Sequence, residues 1–320
     1  MIRVGVISNP RSERNRTSHQ TLRAAAEGRP GVLYAEIAAF DDLPQIITRF
    51  ARAQVELVVV DGGDGTVQAV LTAVLRNPEF RALPRFSVIP SGMTNLIAMD
   101  VGVKGRGAAA LDRLLEALES DAPALQITTR PVLRVERASS ASSGVETLYG
   151  MFFGASAFYH ATKLARQRIH PLGIRYTSAV GATIVAAAGQ LLRAGGLRDG
   201  EPMAVDVDGV RIDVPRHFVL LVTPLDRLVL GLRPFWGQGA GPLRYLDVAA
   251  PPRRFWRALF PTLIGRPRPW MEAAGYRSGR AERLTLALRS PFVLDGEIFE
   301  PASTDVVHLS AGPMAEFMRL

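Results

Sequence analysis

The sequence predicts an α/β domain followed by a mainly β domain. Three observations point there. Short apolar runs alternate with helix-like periodicity over the first third of the chain. A glycine loop, "DGGDGT" at 61–66, joins a strand to a helix. After about residue 127 the texture changes to short alternating strands separated by Ser/Ala/Gly and Asp-Gly turns.

The elements follow in order. "IRVGVIS" (2–8) reads as a strand, residues 17–27 as a helix and "VLYAEI" (32–37) as a second strand. Asp41 and Asp42 open a helix to about Ala53, because carboxylates favour a helix N-terminus. "LVVV" (57–60) is continuously apolar, like a parallel strand buried on both faces. Beyond the glycine loop, Val67, Val70, Leu71, Val74 and Leu75 recur on one helical face, and Asn77-Pro78 ends the helix. "FSVI" (86–89) is the next strand and Ala108–Ser120 the next amphipathic helix. Such alternation implies a parallel sheet covered by helices.

From 127 onward, "RPVLRVERASSASSGVETLYGMFFG" reads as two strand runs joined by a turn. "MAVDVDGVRIDV" reads as a hairpin turning at Asp208-Gly209. "RHFVLLVT", "RLTLAL" and "FVLDGEIFE" continue the β pattern, and only Tyr176–Arg193 reads as helix. The expected fold is a Rossmann-like parallel-sheet domain (1–126) and a mainly antiparallel β-sandwich domain (127–303).

Composition narrows the functional classes. The chain has 320 residues, 48% of them hydrophobic, and no cysteine, which excludes disulfides and thiolate metal sites. The start "MIRVGVISNP" lacks the parts of a signal peptide, and the longest apolar stretch, Tyr176–Leu192, is broken by Gly181, Gly189 and Gln190. A soluble cytoplasmic protein is expected, with peripheral contact at the inner membrane face left open. The net charge of +8 sits wholly beyond residue 126. Between Arg227 and Met271 eight arginines face one acid, Asp247. That field suits an anionic partner, although a solvated basic surface is an equal alternative. No helix-turn-helix, zinc-finger or RNA-binding signature accompanies it, so nucleic acid is not expected.

The glycine loop carries the chemistry. A parallel strand ending in glycines and opening a helix presents backbone N–H groups to an anion, with no Cβ in the way. It matches neither the Walker pattern nor G-x-G-x-x-G.

"GGDGT" (62–66) resembles the shared motif of the diacylglycerol kinase, sphingosine kinase, NAD kinase and phosphofructokinase families. "NPRS" (9–12), "PSGMTNLIA" (90–98) and "LDGE" (294–297) resemble, in order and spacing, segments of the diacylglycerol kinase catalytic-domain family. The resemblance implies a two-domain, ATP-dependent, Mg²⁺-requiring lipid kinase of phospholipid metabolism, with a tail of about 304–320 returning to the first domain. Asn9, Ser12, Gly62, Gly63, Asp64, Gly65 and Thr66 would line the nucleotide phosphates, with Gly92, Thr94 and Asn95 beside them. Asp295 would be the base that takes the lipid hydroxyl's proton, and Glu297 its helper. A nucleotide-bound magnesium ion would lie near Asp64 or Glu297. The partner would be a lipid at a membrane surface; a homodimer is left open.

The residues alone leave alternatives. "FVLDGEIF" also reads as a plain Asp-Gly hairpin, like that at Asp208-Gly209. "PPRRFWRALFPTLIGRPRPW" (251–270) suits an anionic membrane interface, although taken alone it suits a core-packing helix with a solvated basic face somewhat better. The chain also departs from the family. Gln68 and Ala69 replace the usual Asn-Glu, Leu96 an aspartate, and Glu13 a glycine. "PLRY" stands where relatives carry an Asp-bearing loop that supports a structural magnesium, so that site is expected to be absent. A nucleotide- or lipid-binding protein without turnover, and a kinase for a soluble nucleotide as in the NAD kinases, are the competing readings.

Overall fold

The computed structural model describes residues 2–12, 15, 19–120, 125–138, 144–164, 166, 197–228, 231–300 and 306–320. The chain forms two compact units: Met1–Val132 with Pro313–Leu320, and Leu133–Gly312. The expected helix over Tyr176–Arg193 lies outside the described residues.

The first unit is built on a parallel sheet of β1 (Val4–Ser8), β2 (Val32–Glu36), β3 (Leu57–Gly62) and β4 (Arg85–Pro90), in the spatial order β4-β3-β1-β2. A later strand, β16 (Val306–Arg319), adds to β4 in parallel, with Phe317 opposite Phe86. The rings of these two residues lie 5.8 Å apart. β1 and β3 are buried along their whole length. Both faces of the sheet are therefore covered, as their continuous apolar sequences require.

α1 (His19–Glu27) and α5 (Gly107–Glu119) pack together, Leu22, Leu111 and Leu114 meeting Val4, Val59 and Ile89. α2 (Leu43–Arg52) and α3 (Asp64–Arg76) form a second packed pair. α2 buries Ile47 and Phe50. Phe50 lies so close over Gly5 of β1 that any side chain at residue 5 would run into its ring. On α3, Val67, Val70, Leu71 and Val74 form the buried stripe. A helix not foreseen from the sequence, α4 (Leu96–Val101), follows β4. Six residues are too few for a periodicity signal.

The second unit is antiparallel. One sheet runs β15 (Glu297–Phe299), β14 (Phe292–Leu294), β7 (Phe153–Ser156), β10 (Arg216–Thr223), β11 (Leu243–Ala249) and β12 (Tyr276–Ala281). The other runs β9 (Val210–Arg211), β8 (Glu201–Val207), β13 (Arg283–Leu288), the first part of β16, β5 (Gln126–Ala138) and β6 (Val145–Gly150). A single apolar core draws side chains from both sheets, among them Val205, Leu220, Leu284, Phe292 and Leu309. That is the inward half of the period-2 patterns seen in the sequence.

Outside the first of these sheets lies a smaller cluster. There α7 (Phe255–Leu263) sets Ala258 against Phe218, Leu246 and Val248. Asp247 of β11 is wholly buried, 2.5 Å from Nδ1 of the equally buried His217. Arg277 lies 3.6 Å from its other oxygen.

Candidate functional site

In the first unit, the turns leaving β3 and β4 are sewn to each other. The Ser91 amide donates to the Gly62 carbonyl at 3.1 Å. Gly63 and Gly92 then stack backbone on backbone: a Cβ on Gly92 would come within 2.5 Å of the Gly63 Cα. A side chain on Gly62 would meet Thr66, so glycine is required here by packing. The Gly63 backbone is extended (φ −87°, ψ 177°), an allowed shape for any residue.

α3 starts on this corner. Its N-cap is Gly63, and no side chain caps the helix. The first amides of a helix have no intrahelical acceptor and carry the positive end of its dipole. The corner therefore offers amide donors to an anion, while Gly62, Gly63 and Gly92 let the two turns close on each other and on Thr66.

Asn9 joins the corner from β1. Its Nδ2 donates to Thr66 Oγ1 at 2.9 Å and its Oδ1 accepts from the Arg11 amide at 3.0 Å. Ser12 turns the loop: its amide donates to the Asn9 carbonyl and its carbonyl accepts from the Asn15 amide. Asn95 clamps the facing turn. It accepts from the Gly92 amide at 2.8 Å and donates back to the Gly92 carbonyl at 2.7 Å. It holds a left-handed backbone (φ 51°), which asparagine tolerates better than most residues. Thr94 is exposed beside it.

The Asp64 side chain joins the corner to the next helix. Its carboxylate accepts from the amides of Leu96 (3.0 Å) and Ile97 (2.9 Å), the first residues of α4. It caps a helix that has no cap of its own. Burial pushes its carboxyl up, and the amide bonds pull the other way.

The residue that organises the corner was not singled out from the sequence. Asp61, wholly buried at the end of β3, accepts from Ser8 Oγ (2.8 Å), Asn15 Nδ2 (2.6 Å) and, in a very short bond, Ser91 Oγ. The Asp61 carbonyl also accepts from the Asn9 amide at 3.0 Å. Desolvation holds its carboxyl above the ordinary value, opposed by these donors. One buried carboxylate thus ties together the ends of three parallel strands. Its partners come from two distant stretches of chain, residues 8–15 and Ser91, so no local pattern marks it.

In the second unit, Asp295 and Gly296 form the two-residue loop of the β14–β15 hairpin, Leu294 pairing with Glu297. Both loop residues have positive φ (48° and 86°), the signature of a type I′ turn. The Asp-Gly hairpin read from the sequence is therefore present. Asp208-Gly209 makes the same turn, with φ of 50° and 84°. The two aspartates differ in surroundings. Asp208 is exposed and bonds the amides of Glu282 and Arg283 at its rim. Asp295 is 2% exposed, its amide donates to Phe152 and its Oδ2 accepts from the Met151 amide at 2.8 Å. Gly150 makes room for it: any Cβ there would strike Oδ2.

Glu297 is paired with Arg166 at 2.9 Å, and Arg166 also bonds the Gly296 carbonyl. Arg137 braces the hairpin from behind. It bonds Glu146 and the Glu300 carbonyl, each at 2.8 Å, and lies over the rings of Phe292 and Phe299.

Among the described residues no group of three or more His, Asp or Glu side chains is arranged to hold a metal ion. The Asp64 carboxylate bonds two amides, and that of Glu297 pairs with Arg166. At the position where relatives carry Asn, Gln68 is 4% exposed and donates to Thr72 at 2.9 Å. It belongs to the packed face of α3.

Residues 3–127 match the family model of the diacylglycerol kinase catalytic domain, which bears out over that stretch the resemblance read from the motifs. No curated protein matches the chain. Among solved structures, the chain is similar to a diacylglycerol kinase from Bacillus anthracis strain Sterne, at 15% identity and a TM-score of 0.60. The match covers 99% of this chain and 96% of that one. Yeast NADH kinase complexed with NADH is similar at 10% identity and a TM-score of 0.50, over 98% of this chain and 78% of that one. At these identities the likeness is one of fold: parallel strands in the N-terminal part, antiparallel strands in the C-terminal part.

Proposed function

We propose that this chain, whose residues 3–127 match a kinase catalytic domain, is an ATP-dependent lipid kinase. It would move the γ-phosphoryl group of ATP to a hydroxyl of diacylglycerol or a similar lipid alcohol. The observation that carries this reading is the double glycine corner, where Gly63 and Gly92 touch and α3 opens without a side-chain cap. A nucleoside triphosphate fits it, because its oxygens would take the amide donors that no side chain covers.

Phosphoryl transfer depends on positioning and charge stabilisation more than on covalent chemistry by the protein. The amides of Gly62 to Thr66 would hold the phosphates, and the Asn9–Thr66 bond would fix the loop's shape. The Asp295 carboxylate would accept the acceptor hydroxyl's proton as its oxygen bonds to phosphorus and the bond from phosphorus to the bridging oxygen of ADP breaks. Magnesium, where required, would arrive on the nucleotide; among the described residues no group of three or more His, Asp or Glu side chains is arranged to hold it.

The test is transfer from labelled ATP to a panel of diacylglycerol, sphingoid bases and other lipid alcohols, with NAD included. Labelled lipid that disappears with Asp295→Asn supports the reading. Labelled NADP with unlabelled lipids would replace it with the soluble-substrate reading. ATP binding without transfer to any acceptor would favour a non-catalytic member, to which the burial of Gln68 in α3 lends specific support.

A further inference from the structure

We propose that α7 is a membrane-docking helix, and that its partner is a bilayer surface bearing acidic phospholipid. The inference stands on this helix alone and does not require catalysis. Helices on a protein surface normally turn their apolar stripe inward. α7 does so with Ala258 and Thr262, which are buried, and with Phe255, which packs against Phe218. A second set of large residues faces out. Trp256 is 57% exposed, Phe260 69% and Ile264, just past the helix end, 39%. They fall at i, i+4 and i+8, one line along a nine-residue helix.

Charge complementarity selects the occupant. Arg253, Arg254 and Arg257 stand exposed at one end of the stripe, Arg266 and Arg268 at the other. The single acid between Arg227 and Met271, Asp247, is buried against His217, so it offsets none of this surface charge. Trp256 and Phe260 suit the headgroup–acyl boundary, and flanking arginines suit its phosphates. A nucleic acid would use the arginines and leave the aromatic line without a role. A second copy would have to bring ten such arginines together in pairs. The cluster is also locally built: Arg254 lies over the Trp270 ring at 5.4 Å, and the Tyr276 hydroxyl bonds the Arg253 carbonyl.

Co-sedimentation of the full chain, without nucleotide, with phosphatidylcholine vesicles and with phosphatidylcholine–phosphatidylglycerol vesicles tests this. Binding is expected to the acidic vesicles and to weaken with salt. The double variants Trp256→Ser/Phe260→Ser and Arg253→Gln/Arg257→Gln should each lose about tenfold or more in partitioning, with unchanged melting temperatures. Because all four residues are exposed, folding is a separate readout from binding. Three outcomes overturn the proposal: equal partitioning by the aromatic variant, equal binding to neutral vesicles, and a concentration-dependent dimer that the aromatic variant abolishes. Binding to a DNA duplex that survives the aromatic variant, with no vesicle binding, would overturn it in favour of a nucleic-acid surface. Kinase activity on a detergent-dispersed lipid should survive both variants, which separates failure here from failure of the kinase reading.

Discussion

Gly92 faces Gly63 with no room for a methyl group: the added Cβ would lie 2.5 Å from the Gly63 Cα, whereas one on Gly63 would lie 3.2 Å from the Gly92 Cα. The asymmetry sets an order. Gly92→Ala should cost about 1–3 kcal/mol of stability, as overpacking against backbone does, and weaken ATP binding. Gly63→Ala should cost less on both counts. Thermal melts and ATP titration of the two variants check this; equal effects would mean the turns separate freely.

Asp295 and Asp208 occupy matching turns and supply each other's control. Asp295→Asn should lower kcat for phosphoryl transfer by about a hundredfold or more, the scale of losing a general base. Asp208→Asn should leave kcat within about twofold, since its carboxylate only accepts rim amides. Steady-state kinetics on both proteins decides. Comparable losses would assign Asp295 a turn-forming role only.

Arg137 holds the back of the Asp295 hairpin through two hydrogen-bonded partners and two rings. Lysine keeps the charge but neither the fork nor the flat face. Arg137→Lys should destabilise by about 1–3 kcal/mol and reduce kcat, with ATP affinity unchanged. A melt together with ATP titration distinguishes this from a general loss of fold.

Burial raises the Asp61 carboxyl above its ordinary value of 3.8. Ionisation is thus harder in the folded chain than in the unfolded one. The stability this group contributes is present below 3.8 and drains away as pH rises through the folded value. The melting temperature of the wild type minus that of Asp61→Asn should therefore fall as pH is raised from about 4, then level off. A gap that widens with pH would contradict the burial-dominated balance at this carboxylate.

Much of the fold could be read from the chain because the signals are local. The unbroken valines of β3 and the stripe from Val67 to Val74 announce a buried strand and its following helix, and both are found. The corner was legible as a set of members but not as a division of labour. Asn95 reads as a phosphate neighbour yet clamps its own turn, and Asp64 reads as a loop acid yet caps α4. Both roles depend on which amides come within reach once β3 and β4 lie side by side. Asp61 carries no role in the sequence beyond opening the glycine loop, and only its three remote donors reveal it as a hub. The LDGE motif, with Glu297 after the turn, sets Asp295 apart from Asp208 in the sequence, but the burial of Asp295 does not show there, because it comes from the pairing of β14 with β7 and the small residue at Gly150.

β16 has a consequence for how the protein comes into being. The first unit counts Pro313–Leu320 among its residues, and Phe317 is the neighbour of Phe86 on β4. During translation that strand emerges only after the whole of Leu133–Gly312 has been made. Until then β4 presents a bare sheet edge, the kind of surface that invites pairing with foreign strands. A nascent chain must therefore guard its first unit for the full time taken to synthesise the second. Maturation of the two units is coupled in time, so a lesion in either one prolongs the aggregation-prone interval of the first.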